Sequence, residues 1–252
     1  MPPSNGEQEI IRESKEGLIA IAGWARDEKV TAAALVLIGG WAVYLYNRWY
    51  GSVDIDLIVN SKTKNSLKSY LMNRGYKSCK AGDMRYFSKA TPYGEIVIDF
   101  LMRSNPDSFE GRSERLRYDD VLARRTVSKS ISDDVSVAVP ERTTLLLLKL
   151  KATWDRAERL RAGRSERPDW EKGKLIKDRA DILALLDTEN LSTEIDIGFL
   201  GEKLDEFGFL WVCLENIAED GDAIEKYGKM EPERAERTIK KLMSLACNES
   251  PR

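Results

Sequence analysis

The chain has 252 residues, 42% of them hydrophobic and 33% charged, with a formal net charge of −2 and no histidine. That size and balance suit a globular protein of one or two domains. The missing imidazole excludes Ser-His-Asp and Cys-His triads and histidine-ligated zinc hydrolases, so catalysis near neutral pH falls to carboxylates with metals, or to lysine. Near-zero net charge means that any nucleic-acid contact has to come from a local patch. No apolar run reaches membrane-spanning length, and Met1-Pro2-Pro3-Ser4-Asn5-Gly6-Glu7 lacks the basic-then-apolar order of a signal peptide. Cys79, Cys213 and Cys247 are too widely spaced for a disulfide framework or a zinc motif. The expectation is therefore a cytoplasmic protein with no membrane partner. Cys213, within Leu210-Trp211-Val212-Cys213-Leu214, reads as a core residue.

In chain order, Glu7–Asp27 carries apolar residues at helical spacing and reads as an amphipathic helix. Strands are expected at 35–38, 53–59, around 84–88 and at 95–102. A helix over 61–74 is opened by Ser61 as a cap and closed by Gly75. Trp41–Trp49 has helical spacing, and Trp41, Tyr44 and Leu45 share a face suited to packing on the sheet; Arg48 and Tyr50 could face a pocket. The polar run Arg103–Asp107 breaks the sheet, and Val121–Val139 returns to strand character. Pro140 starts a helix reaching about residue 160. The segment 161–174 reads as a loop, followed by helices at 174–186, 192–207, 209–227 and 232–247. The stretch around that loop is basic, with Arg156, Arg159, Arg161, Arg164, Arg167, Lys172, Lys174, Lys177 and Arg179. Six interleaved acids, from Asp155 to Asp178, offset much of this charge.

The chemistry gathers in Ser52-Val53-Asp54-Ile55-Asp56-Leu57-Ile58-Val59. On a strand, side chains alternate between faces, so both carboxylates leave one face of an otherwise apolar strand. Like charges placed so are costly unless a cation neutralises them, and Mg²⁺ is held by one or two carboxylates plus substrate phosphates. Gly39-Gly40 lies where the apolar run Ala33–Ile38 turns into a helix; glycine there lets backbone N–H groups approach a phosphate. Asp99 ends a further apolar strand, Glu95–Leu101. If that strand lies beside the first, Asp99 joins Asp54 and Asp56, and three acids can hold two metals across an in-line phosphoryl displacement.

Ile38-Gly39-Gly40, Asp54-Ile55-Asp56-Leu57 and Asp99 together resemble the motif of the nucleotidyltransferase superfamily that shares its fold with DNA polymerase beta. Within it the chain resembles the abortive-infection (AbiEii-type) toxin nucleotidyltransferases and their relatives. Those follow the core with a Pro-Glu helix start, a Lys-Leu-x-Ala helix and a Lys/Arg-Asp-x-x-Asp helix, matched here by Pro140-Glu141, Lys149-Leu150-Lys151-Ala152 and Lys177-Asp178-Arg179-Ala180-Asp181. The resemblance spans residues 30–187. One departure is that toxin members commonly carry Gly-Ser, so in Gly39-Gly40 any phosphate contact must come from backbone.

The resemblance implies an α/β (α+β) fold, with a small mixed-sheet nucleotidyltransferase core over residues 1–139 and a mostly helical domain over 140–252. It implies an Mg²⁺-dependent enzyme, with two metals on Asp54, Asp56 and Asp99 and Mn²⁺ as a substitute. Gly39, Gly40, Lys149, Lys151, Lys177 and Asp178 are the expected nucleotide-binding residues; Lys149 and Lys151, two apart on a helix, cannot both face one pocket. The partners implied are an NTP, an acceptor hydroxyl with RNA or tRNA favoured over protein, and an antitoxin protein. The alternatives are an antibiotic-modifying enzyme of the aminoglycoside type, its polycationic substrate met by Asp178, Asp181, Asp187 and Glu189, and a silent nucleotide-binding partner protein.

Overall fold

The computed structural model describes residues 5–81, 84–227 and 229–249. The chain divides into two compact units: Met1–Pro106 with Arg117–Glu141, and Asp107–Leu116 with Arg142–Arg252. The class is mixed α/β, with a mixed sheet in the first unit and helices through the C-terminal region. No helix among the described residues is long and apolar enough to cross a membrane.

The first unit opens with α1 (Asn5–Asp27), β1 (Leu35–Ile38) and α2 (Gly39–Tyr44). Next come β2 (Ile55–Val59), α3 (Ser61–Asn73), β3 (Lys77–Ala81), β4 (Met84–Thr91) and β5 (Gly94–Met102). The five strands form one sheet in the order β1-β2-β5-β4-β3. Only β2 and β5 run parallel; the other neighbours are antiparallel. On β5, Ile96, Ile98 and Phe100 are buried while Asp99 is exposed, the alternation of a strand with one face on the core. Ile55, Leu57, Ile58 and Val59 of β2 are buried with them. The chain then leaves this unit for two short strands that pair with each other, β6 (Pro106–Ser108) and β7 (Arg115–Arg117), which fall mostly in the second unit, and returns with α4 (Tyr118–Leu122). The hairpin β8 (Thr126–Ser132) and β9 (Val135–Pro140) completes the unit.

Several boundaries differ from expectation for local reasons. β2 begins at Ile55, not at 53, because the Val53 carbonyl is taken by a side chain of α1 instead of a ladder partner. The cap of α3 is Asn60, whose side chain accepts from Thr63 N at 2.8 Å; Ser61 is the first helical residue. Gly75 does close that helix, at φ +85°. α2 stops at Tyr44, well short of Trp49, and β3 had no sequence expectation.

The helical unit contains α5 (Arg142–Arg161), α6 (Pro168–Leu186), α7 (Leu191–Glu194), α8 (Ile197–Glu206), α9 (Trp211–Ala218), α10 (Gly221–Tyr227) and α11 (Pro232–Glu249). Pro168 opens α6 at its first turn, so the helix begins before the expected 174. The two long C-terminal helices expected between 192 and 227 are each broken by an aspartate cap. Asp196 accepts from Phe199 N at 3.0 Å, and Asp220 from Ala223 N at 3.0 Å. Cys213 is buried as expected, and burial pushes its thiol up to about 12.

Candidate active site

Register assembles the site. Asp56 on β2 pairs with Asp99 on β5 in parallel; Asp99 pairs in turn with Tyr86 on β4, and Tyr86 with Cys79 on β3. On the other side Asp56 pairs with Ile38, the last residue of β1. Directly opposed residues share a sheet face, so Ile38, Asp56, Asp99, Tyr86 and Cys79 form one row across the sheet. Adjacent strands lie about 4.8 Å apart, which places the two carboxylates side by side. The expectation that Asp99 stands next to the Asp56 strand therefore agrees with the pairing.

Gly39 is fitted to Asp56. Its φ is +69°, in the left-handed region that glycine occupies without strain. A Cβ built on it would lie 1.9 Å from Asp56 Oδ2 and 2.8 Å from Cγ. The carboxylate thus rests against the bare Cα of the first residue after β1, and the turn and the acid are built for each other. Gly40 follows and is buried. At six residues α2 is too short for much of a macrodipole, so Gly39 is accounted for by close approach.

Asp54 precedes β2 in a bend and is half-buried. The residue before it is held by Ser14 of α1, whose Oγ donates to Val53 O at 2.7 Å and accepts from Trp41 Nε1 at 3.0 Å. Trp41 is buried as expected, in an edge-on contact with Tyr44 at 5.4 Å, and Arg48 lies over the Tyr44 ring at 5.5 Å. Among the described residues no group of three or more carboxylate, thiol or imidazole side chains is gathered closely enough to hold a metal ion. The row holds Asp56 and Asp99 together, with Asp54 on the adjoining bend.

Ser14 and Tyr86 were not legible in the sequence. A serine within an amphipathic helix carries no signal by itself. Tyr86 enters only through the register of β4 on β5. Its phenol is held above the ordinary range, first by burial, then by Cys79, Glu95 and Asp99, so it stays a donor at neutral pH.

The other expected nucleotide-binding residues belong to the helical unit and bind one another there. Lys149 Nζ is buried between Asp178 Oδ1 at 2.8 Å and Asp181 Oδ2 at 2.7 Å. Lys177 Nζ lies 3.0 Å from Asp181, and Arg156 Nε 2.8 Å from Asp178. Burial alone would lower the Lys149 ammonium, yet the attraction of Asp178 and Asp181 outweighs it and the net direction is up. Burial alone would raise Asp178, and Lys149 with Arg156 outweighs that too, leaving it well below the usual carboxylate range. Lys151 turns elsewhere, to Asp155 at 2.6 Å, Asp107 at 3.0 Å and the Ser108 carbonyl at 3.0 Å. The two lysines are thus engaged in different directions, as their spacing requires.

No family model matches the chain, and no curated protein matches it. Among solved structures it is similar to the lincosamide antibiotic adenylyltransferase LnuA in its lincomycin-bound form. The identity is 16% and the TM-score 0.40, over 68% of this chain and 96% of that one. Similarity at that level carries no inference about substrate.

Proposed function

We propose that this protein transfers a nucleoside monophosphate from an NTP to an acceptor hydroxyl, using a divalent metal on the carboxylate row. The observation that carries the reading is the register pair Asp56–Asp99 with Gly39 opened to receive Asp56. Carboxylate oxygens are the hard donors that suit Mg²⁺ better than softer metals. A carboxylate pair is the protein's share of such a site when the nucleotide's own phosphates complete the donor set. Asp54 and Asp56 would hold the ion that carries the triphosphate, and Asp99 would complete the acceptor side.

When bound, the metal would lower the proton affinity of the acceptor hydroxyl and neutralise charge building on the phosphates. The chain's own residues do the rest. Asp99 accepts a hydrogen bond from the acceptor hydroxyl and draws its proton as the oxygen attacks. The new bond joins that oxygen to the α-phosphorus; the bond from α-phosphorus to the bridging oxygen breaks, and pyrophosphate leaves. Tyr86, beside Asp99, donates a hydrogen bond on the acceptor side. Lys149, Lys151, Lys177 and Asp178 remain candidates for phosphate binding by the resemblance alone.

The test is incubation with each α-labelled NTP and Mg²⁺, first with total RNA, then with a protein extract, then with an aminoglycoside panel. Label on an acceptor from wild-type protein, lost on chelation and in Asp56→Asn, is the expected result. Absence of transfer and of nucleotide binding with all four NTPs would overturn the reading.

A further inference from the structure

Ser14 is fully buried in α1, and its hydroxyl joins two segments that flank the site. The direction of the relay is fixed by chemistry. An indole N–H can only donate, so Trp41 gives its proton to Ser14 Oγ, and the single serine proton goes to Val53 O. Trp41 lies two residues after Gly39, and Val53 is the residue before Asp54. A second observation locates the same clamp. A Cβ on Gly51 would lie 2.5 Å from Ile11 Cγ2 and 3.2 Å from the Trp41 ring, so the approach to Asp54 runs pressed between α1 and Trp41.

Resting on the nucleotidyltransferase reading above, we propose that Ser14 is a positioning residue for the metal-nucleotide site. It ties the Gly39-Gly40 turn and the Asp54 bend to one point on α1 and so fixes Asp54 relative to Asp56. Alanine would fill the space but leave a buried indole N–H and a carbonyl without their partner. The bend would then relax, and the carboxylate it carries would lose its aim. Nothing in Ser14 touches the reacting atoms; its effect passes through the backbone at Val53.

The experiment is a Mn²⁺ titration followed by electron paramagnetic resonance, with ATP, GTP, CTP and UTP in parallel and no acceptor. Ser14→Ala should weaken Mn²⁺–nucleotide binding about tenfold, the lower end for a group that supports a ligand from behind. Tyr70→Phe is the matched control. It removes another hydroxyl-to-carbonyl bond to α1, from Tyr70 to Ala20 O at 2.9 Å, at a place unconnected with Asp54. It should lower the melting temperature and leave Mn²⁺ binding unchanged. Unchanged affinity in Ser14→Ala, beside a wild type that binds, overturns the positioning role and leaves the enzymatic reading standing. Equal losses in Ser14→Ala and Tyr70→Phe also overturn it, because the effect would then be one of general stability. A wild type that binds no Mn²⁺ with any nucleotide overturns the enzymatic reading and the Ser14 proposal together.

Discussion

One cluster of carboxylates in each unit can be set against the other. In the helical unit Asp178, Asp181 and Glu171 are buried or nearly so, and lysine or arginine nitrogens close on each at 2.7–3.2 Å. In the sheet unit the strands set Asp56 beside Asp99, with Asp99 exposed and a bare glycine Cα against the Asp56 carboxylate. Ion-paired burial of the first kind specifies structure. Juxtaposition of the second kind puts hard oxygen donors side by side, the arrangement on which the proposed metal-nucleotide site rests.

The largest expected effect tests that contrast where it is sharpest. Asp56→Asn should reduce NMP transfer by about 10⁴-fold, over 5 kcal/mol of barrier, while far-ultraviolet circular dichroism stays native. In chelator the same variant should melt higher than wild type, because repulsion with Asp99 is relieved. Near-normal turnover at ordinary Mg²⁺ would end the catalytic reading. Asp99→Ala should lose kcat with little change in NTP affinity; collapse of that affinity would instead move Asp99 to the nucleotide side.

Next comes the opposite charge pattern. Lys149→Met leaves Asp178 and Asp181 buried without their shared ammonium and should cost about 3–4 kcal/mol in a urea titration. The pH dependence follows in sign. Asp178 is depressed in the folded state, so its stabilisation is present above the unfolded carboxylate range and lost as pH falls through the folded value. Lys149 is raised, so its share is full below the unfolded lysine range, about 10.4, and is lost only at more alkaline pH. Melting temperature should therefore be flat through neutrality and fall in acid, and Lys149→Met, which removes the charge that holds Asp178 down, should make that acid limb shallower. A variant with unaltered stability and a raised KM for NTP would show instead that Lys149 serves the nucleotide.

A smaller effect is expected at the turn. Gly39→Ala forces a left-handed residue and drives a methyl into Asp56, so about 1–2 kcal/mol of stability should go. NTP affinity should fall with it, because the carboxylate must move aside. Unaltered affinity would reduce Gly39 to a turn residue.

How much of this could be read beforehand divides along physical lines. Asp56 and Asp99 were legible because period-two alternation survives in sequence: an acid amid buried Ile, Leu and Val stands out. Their mutual register was not, since it depends on a parallel pairing between distant strands. β3, Lys77-Ser78-Cys79-Lys80-Ala81, is an edge strand written in polar residues, and its pattern resembles a loop. Pro168 lies in the stretch expected to be a loop, yet it opens α6; proline suits both places, and only the following turn decides. Asp196 and Asp220 interrupt runs of helical periodicity as caps, a role their local sequence shares with any exposed acid. Ser14 acts through bonds to residues far along the chain, which no window of sequence contains.

The smallest effect concerns the basic stretch, where the same contrast reaches the acceptor. Before the fold is known, Arg159, Arg161, Arg164 and Arg167 look alike as phosphate contacts. In the structure the first three are drawn to local acids: Arg159 to Glu171 at 2.9 Å, Arg161 to Glu158 at 2.6 Å, Arg164 to Glu110 at 3.1 Å. Arg167 lies instead over the exposed ring of Trp170 at 5.3 Å, with Lys174 at 5.4 Å. Guanidinium charge already matched by a neighbouring carboxylate has little left for a polyanion. If the acceptor is RNA, each phosphate neutralised contributes about 0.7–0.9 to the slope of log affinity against log salt. The four-fold Gln variant should therefore flatten that slope by about one contact, and Arg167→Gln alone should reproduce most of the change. The KM for NTP should stay constant in both. A loss of three or four contacts' worth of slope would show that the local ion pairs open for the acceptor, and that the helical unit's pairing is a resting arrangement. A KM for acceptor with no salt dependence in any variant would point to a small molecule. Acceptor KM at two salt concentrations, for wild type, Arg167→Gln and the quadruple variant, separates the three outcomes.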